Sequence, residues 1–564
     1  MTTMTPVLKR ASGMTKEERF VIFASSVGTV FEWYDFYLYA VLAPFFASLF
    51  FPAGNDTAAL LSAFATYAAG FVVRPFGALF FGRIGDLDGR KYAFLVTIIV
   101  MGTSTFLVGL LPTYASIGWL SPVLLVALRL LQGLAVGGEY GGAATYVAEH
   151  ARPGERGYAT SWIQTTATVG LALALVIILL CRQFMDPESF SEWGWRIPFL
   201  VSAILLGFSV YIRLRLNETP IFNKMKEEGK GSKAPLTESF LHYPNNRYVL
   251  LALFGATAGM GVVWYTGQFY ALFFLTITLK LGYLPAYLLI LASLIIGTPL
   301  YVAFGWLSDR IGRLKIILTG CLIAALTYFP LFAALSHYAN PDLEAFSERN
   351  AVTITADGST CELHIFVTAF TKFSNCDRAK DLVTKLGVSF KTENVPNSGD
   401  KVNLTLGSTT IEGFDAGKWN AAFLDAGYPN LQRDKDGKIG PKPADTAKIN
   451  WLMTELILVV MVFYAAMVYG PVAAFLVELF PTRIRYTSMS LPYHIGAGVF
   501  GGMLPLLATA IVAATGNIYN GLWYPILVAV MTTAIGGLLL RDTKDIDIKV
   551  GSGVEAAYPH LMKQ

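Results

Sequence analysis

Runs of about 20 mostly apolar residues recur along this 564-residue chain, and they constrain its fold more than any other feature. A helix of that length spans the hydrocarbon core of a bilayer, which is about 30 Å thick. Hydrocarbon offers no hydrogen bonds to the backbone, so each run must form a helix that satisfies its own peptide groups. The runs lie near residues 21–50, 58–82, 92–112, 120–147, 158–181, 196–215, 248–279, 284–307, 315–336, 451–478, 488–515 and 521–540. The chain is therefore predicted to be an all-α polytopic membrane protein with twelve transmembrane helices.

The composition agrees with a chain that lies mostly in lipid. Charged residues make up 15% of it, against roughly 25% in soluble domains, and the mean hydropathy is +0.51. The net charge of +4 is small and dispersed, which argues against a nucleic-acid partner and leaves the lipid bilayer as the expected one. No cleavable signal peptide is evident, because residues 1–19 are polar and basic and the first apolar run is long enough to remain in the membrane. The first helix is expected to act as its own insertion signal.

The distribution of lysine and arginine predicts the orientation. An even number of spans puts both termini on one side, and cytoplasmic loops carry the excess of basic residues. The short loops of one face hold little beyond Arg182, Arg196 and Lys280. The other face holds Lys9, Arg10, Lys16, Arg19, Arg83, Arg90, Lys91, Arg152, Arg156, Lys224, Lys226, Lys230, Lys233, Arg310, Arg313, Lys315, Arg483 and Arg485. Both termini are therefore expected in the cytoplasm.

Two polar segments interrupt the pattern and divide the chain. The predicted units are an N-terminal segment 1–19, a six-helix half 20–216, a cytoplasmic linker 217–247, segments seven to nine at 248–336, an insertion 337–450, segments ten to twelve at 451–541 and a tail 542–564. The insertion falls outside the cytoplasm. Alternating runs at 352–354 and 402–406 and a helix-like stretch at 377–386 predict a small α+β domain.

Cysteine usage is sparse, with four residues in the whole chain, which excludes a disulfide scaffold. Cys361 and Cys376 lie within the insertion and could pair in an oxidising periplasm. Two unpaired thiols are the alternative. Cys181 and Cys321 lie near membrane segments and are expected to be packing residues.

The two halves of the chain repeat one another. The loop G-R-I-G-D-L-D-G-R-K begins at Gly82 and G-W-L-S-D-R-I-G-R-L-K begins at Gly305, so that Asp309 corresponds to Asp86. In a second repeated motif, Glu478 corresponds to Glu149. The second pair is spaced more widely along the chain than the first, and the excess matches the length of the insertion. The sequence therefore predicts two six-helix repeats with a domain inserted into the second.

Repeated halves about an axis along the membrane normal are a transporter arrangement, with the substrate held between them near the midplane. The two loops resemble the signature loop of the major facilitator superfamily. Five further stretches resemble its metabolite:proton symporter family, which includes permeases for α-ketoglutarate, citrate, shikimate and proline/betaine. They are E-W-Y-D-F-Y-L-Y (32–39), R-P-F-G (74–77), R-L-L-Q-G-L-A-V-G-G-E-Y-G-G (129–142), W-G-W-R-I-P-F (193–199) and E-L-F-P-T-R-I-R-Y-T (478–487). The insertion departs from that family, where this loop is short.

Charged side chains within the predicted spans are the sharpest functional signal. Glu32, Asp35, Arg74, Arg129 and Glu139 each cost at least about 2.5 kcal/mol at a helix centre, so they are expected to be functional and to face a shared cavity. Arg74 and Arg129 are candidate anchors for a substrate carboxylate, because a guanidinium binds it in bidentate fashion and keeps its charge. The alternative is a permanent ion pair with Glu32 or Asp35. Asp35, Glu32 and Glu139 are the proton-coupling candidates, because buried carboxylates can exchange protons near neutral pH.

Polar and aromatic residues complete the candidate substrate site. They are Tyr37, Gln132, Tyr265, Gln268, Tyr493 and His494, with Tyr34 as a further hydroxyl. For each tyrosine the alternative is packing or an interfacial position, and for His494 it is structural hydrogen bonding.

The repeated loops carry a predicted latch. Asp86 with Arg90, and Asp309 with Arg313, would form charge contacts that break when the cytoplasmic side opens. Simple turn and topology signals are the alternative.

The expected function is proton-coupled import of a small carboxylate, such as a dicarboxylate, keto acid or aromatic acid, across the inner membrane. An osmolyte symporter and an exporter are the alternatives. The short C-terminal tail without heptads argues against the first, and the absence of a G-P-rich motif in the fifth segment argues against the second. No ATP-binding loop is present, and no cofactor, metal or catalytic role is expected. A monomer is expected, with a periplasmic partner as one role of the insertion. A receptor or enzyme working through the insertion is disfavoured because His364 is isolated there.

Overall fold

A computed structural model shows a helical bundle. It describes residues 16–51, 63, 66, 69–88, 90–214, 223, 226–229, 231–362, 372–546 and 548. The long helices are α1 (Lys16–Phe50), α2 (Arg74–Leu87), α3 (Arg90–Leu110), α4 (Leu120–His150), α5 (Arg156–Phe184), α6 (Ile197–Leu214), α7 (Asn245–Thr278), α8 (Tyr283–Ile311), α9 (Arg313–Ala339), α10 (Trp451–Leu479), α11 (Arg485–Thr515) and α12 (Trp523–Leu539).

Ten helices within the described residues are long and apolar enough to cross a membrane. They correspond to the third to twelfth predicted segments. The first predicted segment, 21–50, lies within the 35-residue α1, and the second, 58–82, lies partly outside the described residues. The number of twelve spans therefore stays a prediction.

The two halves meet along two equivalent helix pairs. Helix α5 of the first half packs along α8 of the second, and α2 packs along α11. Within the first half, α2 and the residues just before it touch α4 through backbone. A Cβ on Gly133 would lie 2.0 Å from the Gly70 oxygen, and one on Gly77 would lie 2.0 Å from the Leu134 oxygen. Only glycine permits such an approach. The glycines of the fourth predicted segment therefore act in packing.

Helices α7 and α11 are irregular where they cross at the centre. Helix α7 contains wide π-helical turns at 253–257, 266–270 and 274–278, and α11 contains one at 494–501. A Cβ on Gly261 would lie 2.2 Å from the Gly496 oxygen, so the two backbones are in contact. Wide turns of this kind are frequent at functional sites, because they redirect side chains and free backbone groups.

The insertion contains strands and helices. Strands β1 (Val352–Ala356), β2 (Lys391–Asn394), β3 (Val402–Leu406) and β4 (Thr409–Glu412) form a sheet in the order β2-β1-β3-β4, and β5 (Leu431–Arg433) pairs with β6 (Ile439–Pro441). Short helices lie at Pro341–Arg349, Asn375–Lys385 and Ala416–Asp425. β1 and β3 fall on the two alternating runs, and each buries its alternate residues. Cys361 and Cys376 are joined as a disulfide, with Cα atoms 5.3 Å apart.

The insertion packs on the ends of α7 and α11. Lys280 donates a hydrogen bond to the Lys385 carbonyl, and the Phe390 amide donates to the Gly516 oxygen at 2.7 Å. Burial, and then the charge of Lys385, lower the pKa of Lys280 to about 8. Gly387 lies against the Thr278 carbonyl, where a Cβ would approach the oxygen to 2.0 Å. These contacts fasten the insertion to the second half of the bundle.

We expect Gly387→Ala to loosen this attachment. The methyl group would collide with the backbone of Thr278, at a position whose φ of +71° already disfavours alanine. Gly427→Ala is the matched control, because its φ is +86° and nothing lies within 4 Å of the added carbon. Limited proteolysis of the purified protein should cut the insertion several times faster in the first variant than in the second. Equal rates would show that the Gly387 contact does not hold the insertion.

Candidate functional site

Arg74 lies at the centre of the bundle, at the start of α2, and is fully buried. Its guanidinium carbon is 4.1 Å from the ring centre of Phe36 and 4.2 Å from that of Phe71. None of its three side-chain nitrogens has a hydrogen-bond partner among the described residues. Cation–π contacts return about 2 kcal/mol each in a dry site, whereas burying an unpaired ion costs several kcal/mol. The cation–π contacts therefore do not fully offset the cost of burying this charge.

Arg129 is engaged differently. Its Nη1 donates to the side-chain oxygen of Gln132 at 2.8 Å and to the Phe36 carbonyl at 3.4 Å. Gln132 in turn donates to Thr105 at 2.9 Å. The Thr105 hydroxyl donates to the Met101 carbonyl at 3.0 Å. A polar chain thus runs from the guanidinium of Arg129 through Gln132 to Thr105. Asp35 accepts separately from Ser202 at 2.5 Å.

A cluster of charged side chains, formed by Arg213, Glu32 and Glu139, joins α6 to α1 and α4. Nη2 of Arg213 is 2.8 Å from a carboxylate oxygen of Glu32 and 2.9 Å from one of Glu139. All three side chains are buried. The sequence prediction missed Arg213, because it lies near the end of an apolar run and reads as a loop-facing charge. Neither Glu32 nor Asp35 has an ion pair with Arg74 or Arg129 in the described part of the chain, so the alternative of a permanent pair is wrong for this conformation.

A cavity of about 10 Å³ lies between the halves, room for roughly one water molecule. It is lined by Trp33, Tyr37, Met260, Gly261, Trp264, Tyr265, Tyr469, Tyr493 and Ala497. None of the five predicted charged residues lines it, and Arg74 lies one side chain away, 5.7 Å from the Trp33 ring centre. The expectation of one shared cavity for all five charges is therefore wrong for this conformation. The aromatic rings fill the space where the halves meet.

The other predicted side chains are distributed around this centre. Tyr37 and Tyr265 line the cavity, and the Tyr493 hydroxyl lies 2.6 Å from that of Tyr469. Gln268 donates to the Tyr301 hydroxyl at 2.9 Å.

His494 is buried, and neither ring nitrogen has a hydrogen-bond partner among the described residues. The structural hydrogen bond weighed for His494 is therefore not seen. Tyr34 is not available to a substrate, because it donates to the Pro198 carbonyl at 2.6 Å.

One end of the bundle carries Asp86, Glu149, Asp309 and Glu478, and we call it the signature-loop end. There the halves exchange equivalent contacts. The amide of Thr487, in the first turn of α11, donates to Asp86 at 3.0 Å. The amide of Tyr158, in the first turn of α5, donates to Asp309 at 2.8 Å. Thr487 follows Tyr158 by the same interval that separates the two glutamates. Each aspartate thus caps a helix N-terminus of the opposite half, where the helix dipole favours a negative charge.

Glu149 and Glu478 make a second pair of equivalent contacts between the halves. Glu149 accepts from Arg485 at 3.1 Å, and Glu478 accepts from Arg156 at 3.3 Å, with all four side chains buried. Arg485 follows Arg156 by that same interval as well. Glu478 also accepts from Arg313 at 3.0 Å. The two repeated halves are therefore related by a pseudo-twofold axis that runs between them.

The predicted latch pairs lie within this network. Arg313 is 2.8 Å from Asp309, and both belong to the second half. The Arg90 side chain lies outside the described part of the structure, so its predicted contact with Asp86 cannot be described. Asp86 contacts Thr487 and Asp309 contacts the start of α5 across the two halves. The sequence indicated that such an aspartate can cap a neighbouring helix, but it did not identify either partner.

We expect Gly157→Ala to disturb the closure of the signature-loop end. Gly157 opens α5, and a Cβ there would lie 2.4 Å from the Gly305 carbonyl oxygen of α8. Overpacking of this kind costs about 1–3 kcal/mol, so transport should fall about tenfold. Gly207→Ala, a helical glycine with nothing within 4 Å, should transport normally. Equal transport by both variants would show that this contact does not limit the cycle.

No group of three or more His, Cys, Asp or Glu residues suited to a metal ion occurs among the described residues. Charged groups buried between two related half-bundles, with aromatic residues in between, define a membrane transporter rather than an enzyme.

Comparisons with known proteins also indicate a transporter. A family model described as sugar (and other) transporter matches residues 20–249. The chain is 35% identical over 339 residues to the alpha-ketoglutarate permease of Escherichia coli K12, which covers 60% of this chain and 77% of the permease. It is 37% identical over 317 residues to the shikimate transporter of the same strain, covering 55% and 71%. It is 33% identical over 338 residues to the proline/betaine transporter of Salmonella typhimurium LT2, covering 56% and 65%.

Solved structures show the same fold. The proton:xylose symporter XylE bound to 6-bromo-6-deoxy-D-glucose matches with a TM-score of 0.55 at 15% identity, covering 96% of this chain and 99% of that one. The inward-open xylose transporter XylE from E. coli matches with a TM-score of 0.53 at 13% identity, covering 96% and 99%. The chain belongs to the major facilitator superfamily and, within it, to the metabolite:proton symporter family. It is a multi-pass membrane transporter, not an enzyme.

Proposed function

We propose that the chain is a proton-coupled symporter that imports a small organic acid across the inner membrane by alternating access. The observation that carries this proposal is the fully buried Arg74 guanidinium, whose nitrogens have no hydrogen-bond partner among the described residues. A bidentate carboxylate would supply the missing bonds. The relatives named as alpha-ketoglutarate permease and shikimate transporter support a carboxylate substrate, and one relative is named as an inner membrane metabolite transport protein.

The substrate would bind Arg74 when the halves separate. Tyr37, Tyr265 and Tyr493 line the cavity where it would enter. Gln268 and His494 lie in the wide turns of α7 and α11, and Arg129 and Gln132 belong to the neighbouring polar chain. The exporter and osmolyte alternatives remain as outcomes of the transport assay. The proline/betaine relative is what favours the osmolyte reading.

The proton would be carried by the carboxyl groups of α1 and α4. Glu32 and Glu139 present two negative charges to the single positive charge of Arg213. A buried group of this kind is neutral once one carboxyl group holds a proton, and burying net charge is costly. Asp35 is the second candidate, since it is buried on α1 and accepts a hydrogen bond from Ser202 of α6.

In the topology that we propose, both termini and the linker 217–247 are cytoplasmic. Twelve spans form two six-helix repeats, and 337–450 is an α+β domain on the periplasmic face. The basic residues of the signature-loop end support this orientation.

Uptake by proteoliposomes tests the function. Labelled 2-oxoglutarate, shikimate and glycine betaine are offered with an inward proton gradient and again after a protonophore has collapsed it. An acid should accumulate several-fold above equilibrium only with the gradient. Uptake that ignores the gradient would exclude symport, and uptake of glycine betaine alone would favour the osmolyte alternative.

In Glu139→Gln, we expect substrate exchange to continue while coupling of transport to the proton gradient is lost. The amide cannot carry the proton, so gradient-driven accumulation should be lost, while exchange of labelled for unlabelled substrate continues. Glu188→Gln, an exposed acid in the Pro187–Glu192 turn, is the control and should behave as wild type. If Glu139→Gln accumulates substrate normally, the proton is carried elsewhere, with Asp35 as the next candidate.

A further inference from the structure

The halves also meet at the end of the bundle opposite the signature-loop end, which we call the insertion end because the insertion packs there. Helix α5 begins at the signature-loop end and α8 finishes there, so the last turn of α5 and the first turn of α8 lie at the insertion end. Arg182, in the last turn of α5, is half-buried. Its guanidinium carbon is 4.9 Å from the ring centre of Phe190 in its own half and 4.3 Å from that of Tyr283, the first residue of α8. A cation–π contact therefore joins the halves at this end.

A second contact between the halves is made by Tyr287, one turn further along α8. Its hydroxyl donates to the Val41 carbonyl of α1 at 3.4 Å, and its ring packs edge-to-face on that of Tyr283 with the centres 6.3 Å apart. Val41 follows Tyr37 by four residues, so both lie on one face of α1. The Tyr37 ring packs on Phe269 of α7, with 5.0 Å between the ring centres. The halves are thus in contact at both ends of the bundle.

The loop that precedes Tyr283 is held by the insertion. Lys280 has a φ of +59°, in the left-handed region that residues with a side chain disfavour. Its side-chain amino group donates to the Lys385 carbonyl, and its own carbonyl accepts from the Ala444 amide at 2.8 Å. A disfavoured backbone conformation persists only where its surroundings fix it. The insertion therefore sets the position at which α8 begins.

We propose that Arg182, Tyr283 and Tyr287 form a gate at the insertion end, and that the insertion keeps this gate closed by fixing the loop before Tyr283. The proposal rests on the alternating access proposed above, but not on the identity of the substrate. Opening at this end separates α5 and α1 from α8, so that Arg182 leaves the Tyr283 ring and Tyr287 leaves Val41. Because one cation–π contact and one long hydrogen bond are weak, a small displacement of Tyr283 shifts the balance between the closed and open conformations.

Maleimide labelling of the purified full-length protein tests the gate. Val41 is buried on the face of α1 that meets the second half, so a Val41→Cys reporter reacts when the insertion end opens. The background replaces Cys181 and Cys321, the free cysteines of the described residues.

Two variants act on the two parts of the proposal. Arg182→Gln removes the cation–π contact, and Lys280→Ala removes the side-chain bond to the insertion. Both should accelerate labelling of the Val41→Cys reporter about threefold to tenfold. Arg378→Gln and Lys418→Ala, at exposed positions of the insertion, are the matched controls and should label at the wild-type rate. An unchanged rate in Arg182→Gln would overturn the gate, and an unchanged rate in Lys280→Ala would overturn its control by the insertion.

A second reporter distinguishes opening of the gate from loosening of the fold. Ser490 is buried at the signature-loop end. In alternating access the two ends do not open together, so a Ser490→Cys reporter should label more slowly in Arg182→Gln and Lys280→Ala than in the wild type. Faster labelling of both reporters would show a loosened bundle and would overturn the gate.

The labelling needs neither substrate nor proton gradient, which keeps this proposal separable from the proposed function. Uptake of an organic acid together with unchanged Val41→Cys labelling in both variants would keep the transport function and reject the gate. Faster Val41→Cys labelling in both variants, without uptake of any acid, would keep the gate and reject the organic-acid substrate.

Discussion

Arg74→Ala is expected to abolish transport and to weaken binding of the acid by at least about a hundredfold. Charge-assisted hydrogen bonds contribute about 1.5–3 kcal/mol each, and a bidentate contact makes two. The same change should leave the melting temperature unaltered or raise it, because it removes a buried charge that has no polar partner among the described residues. A residue that only holds helices together would do the opposite.

Arg74→Lys refines the test. A lysine keeps the charge but loses the planar, bidentate geometry, so partial binding with slow transport is expected. Arg349→Ala, at the exposed end of the helix Pro341–Arg349 of the insertion, is the matched control and should transport normally. Normal transport by Arg74→Ala, or a large fall in its melting temperature, would contradict a substrate-binding role.

Glu478→Gln is expected to have the second large effect. The carboxylate is fully buried and accepts from Arg156, Arg313 and Thr543. Removing one partner of a buried ion pair typically costs about 3–5 kcal/mol, because the other charge stays desolvated. Since Arg156 belongs to the opposite half, the loss falls on the conformation in which the signature-loop end is closed. Transport should fall strongly as the cycle stalls with this end open.

Cysteine labelling would measure the opening directly. Ser490 is buried beneath Gly141 at the signature-loop end, so a Ser490→Cys reporter reacts with maleimide only when the end opens. The background replaces Cys181 and Cys321, the free cysteines of the described residues. Glu478→Gln should accelerate labelling many-fold, and the exposed Glu412→Gln should not. Because Glu149 and Glu478 are related by the pseudo-twofold axis, Glu149→Gln should act in the same direction, and unchanged labelling in both would contradict the latch.

The positions of the membrane segments could be predicted because they depend on local composition. A run of about 20 apolar residues becomes helical in hydrocarbon whatever surrounds it. The loop repeat was equally visible, since Asp86 and Asp309 lie in similar strings of residues. What the aspartates contact was not visible. Thr487 is 401 residues from Asp86, and only the packing of α2 along α11 brings them together.

The candidate site was predicted only in part, because local composition reveals a charge in an apolar run but not the partners of that charge. Arg74 stands out in sequence because any charge in an apolar run is costly. Its lack of a hydrogen-bond partner among the described residues depends on where the folded chain places the acids. Arg213 escaped notice, although it is the residue that takes Glu32 and Glu139 away from both candidate arginines. A charge within one turn of a span's end gives no local signal of which way it points.

The sequence by itself determined that this chain lies mostly in a lipid bilayer, where its membrane segments fall and that its two halves repeat one another. Each of these properties depends on the residues within short stretches of the chain. Only the tertiary structure decided which buried charges pair with one another, and that Arg74 has no hydrogen-bond partner among the described residues. The physical reason is that desolvation acts on every buried ion wherever it lies, whereas pairing requires contact within about 4 Å, which the folded chain provides between residues hundreds of positions apart.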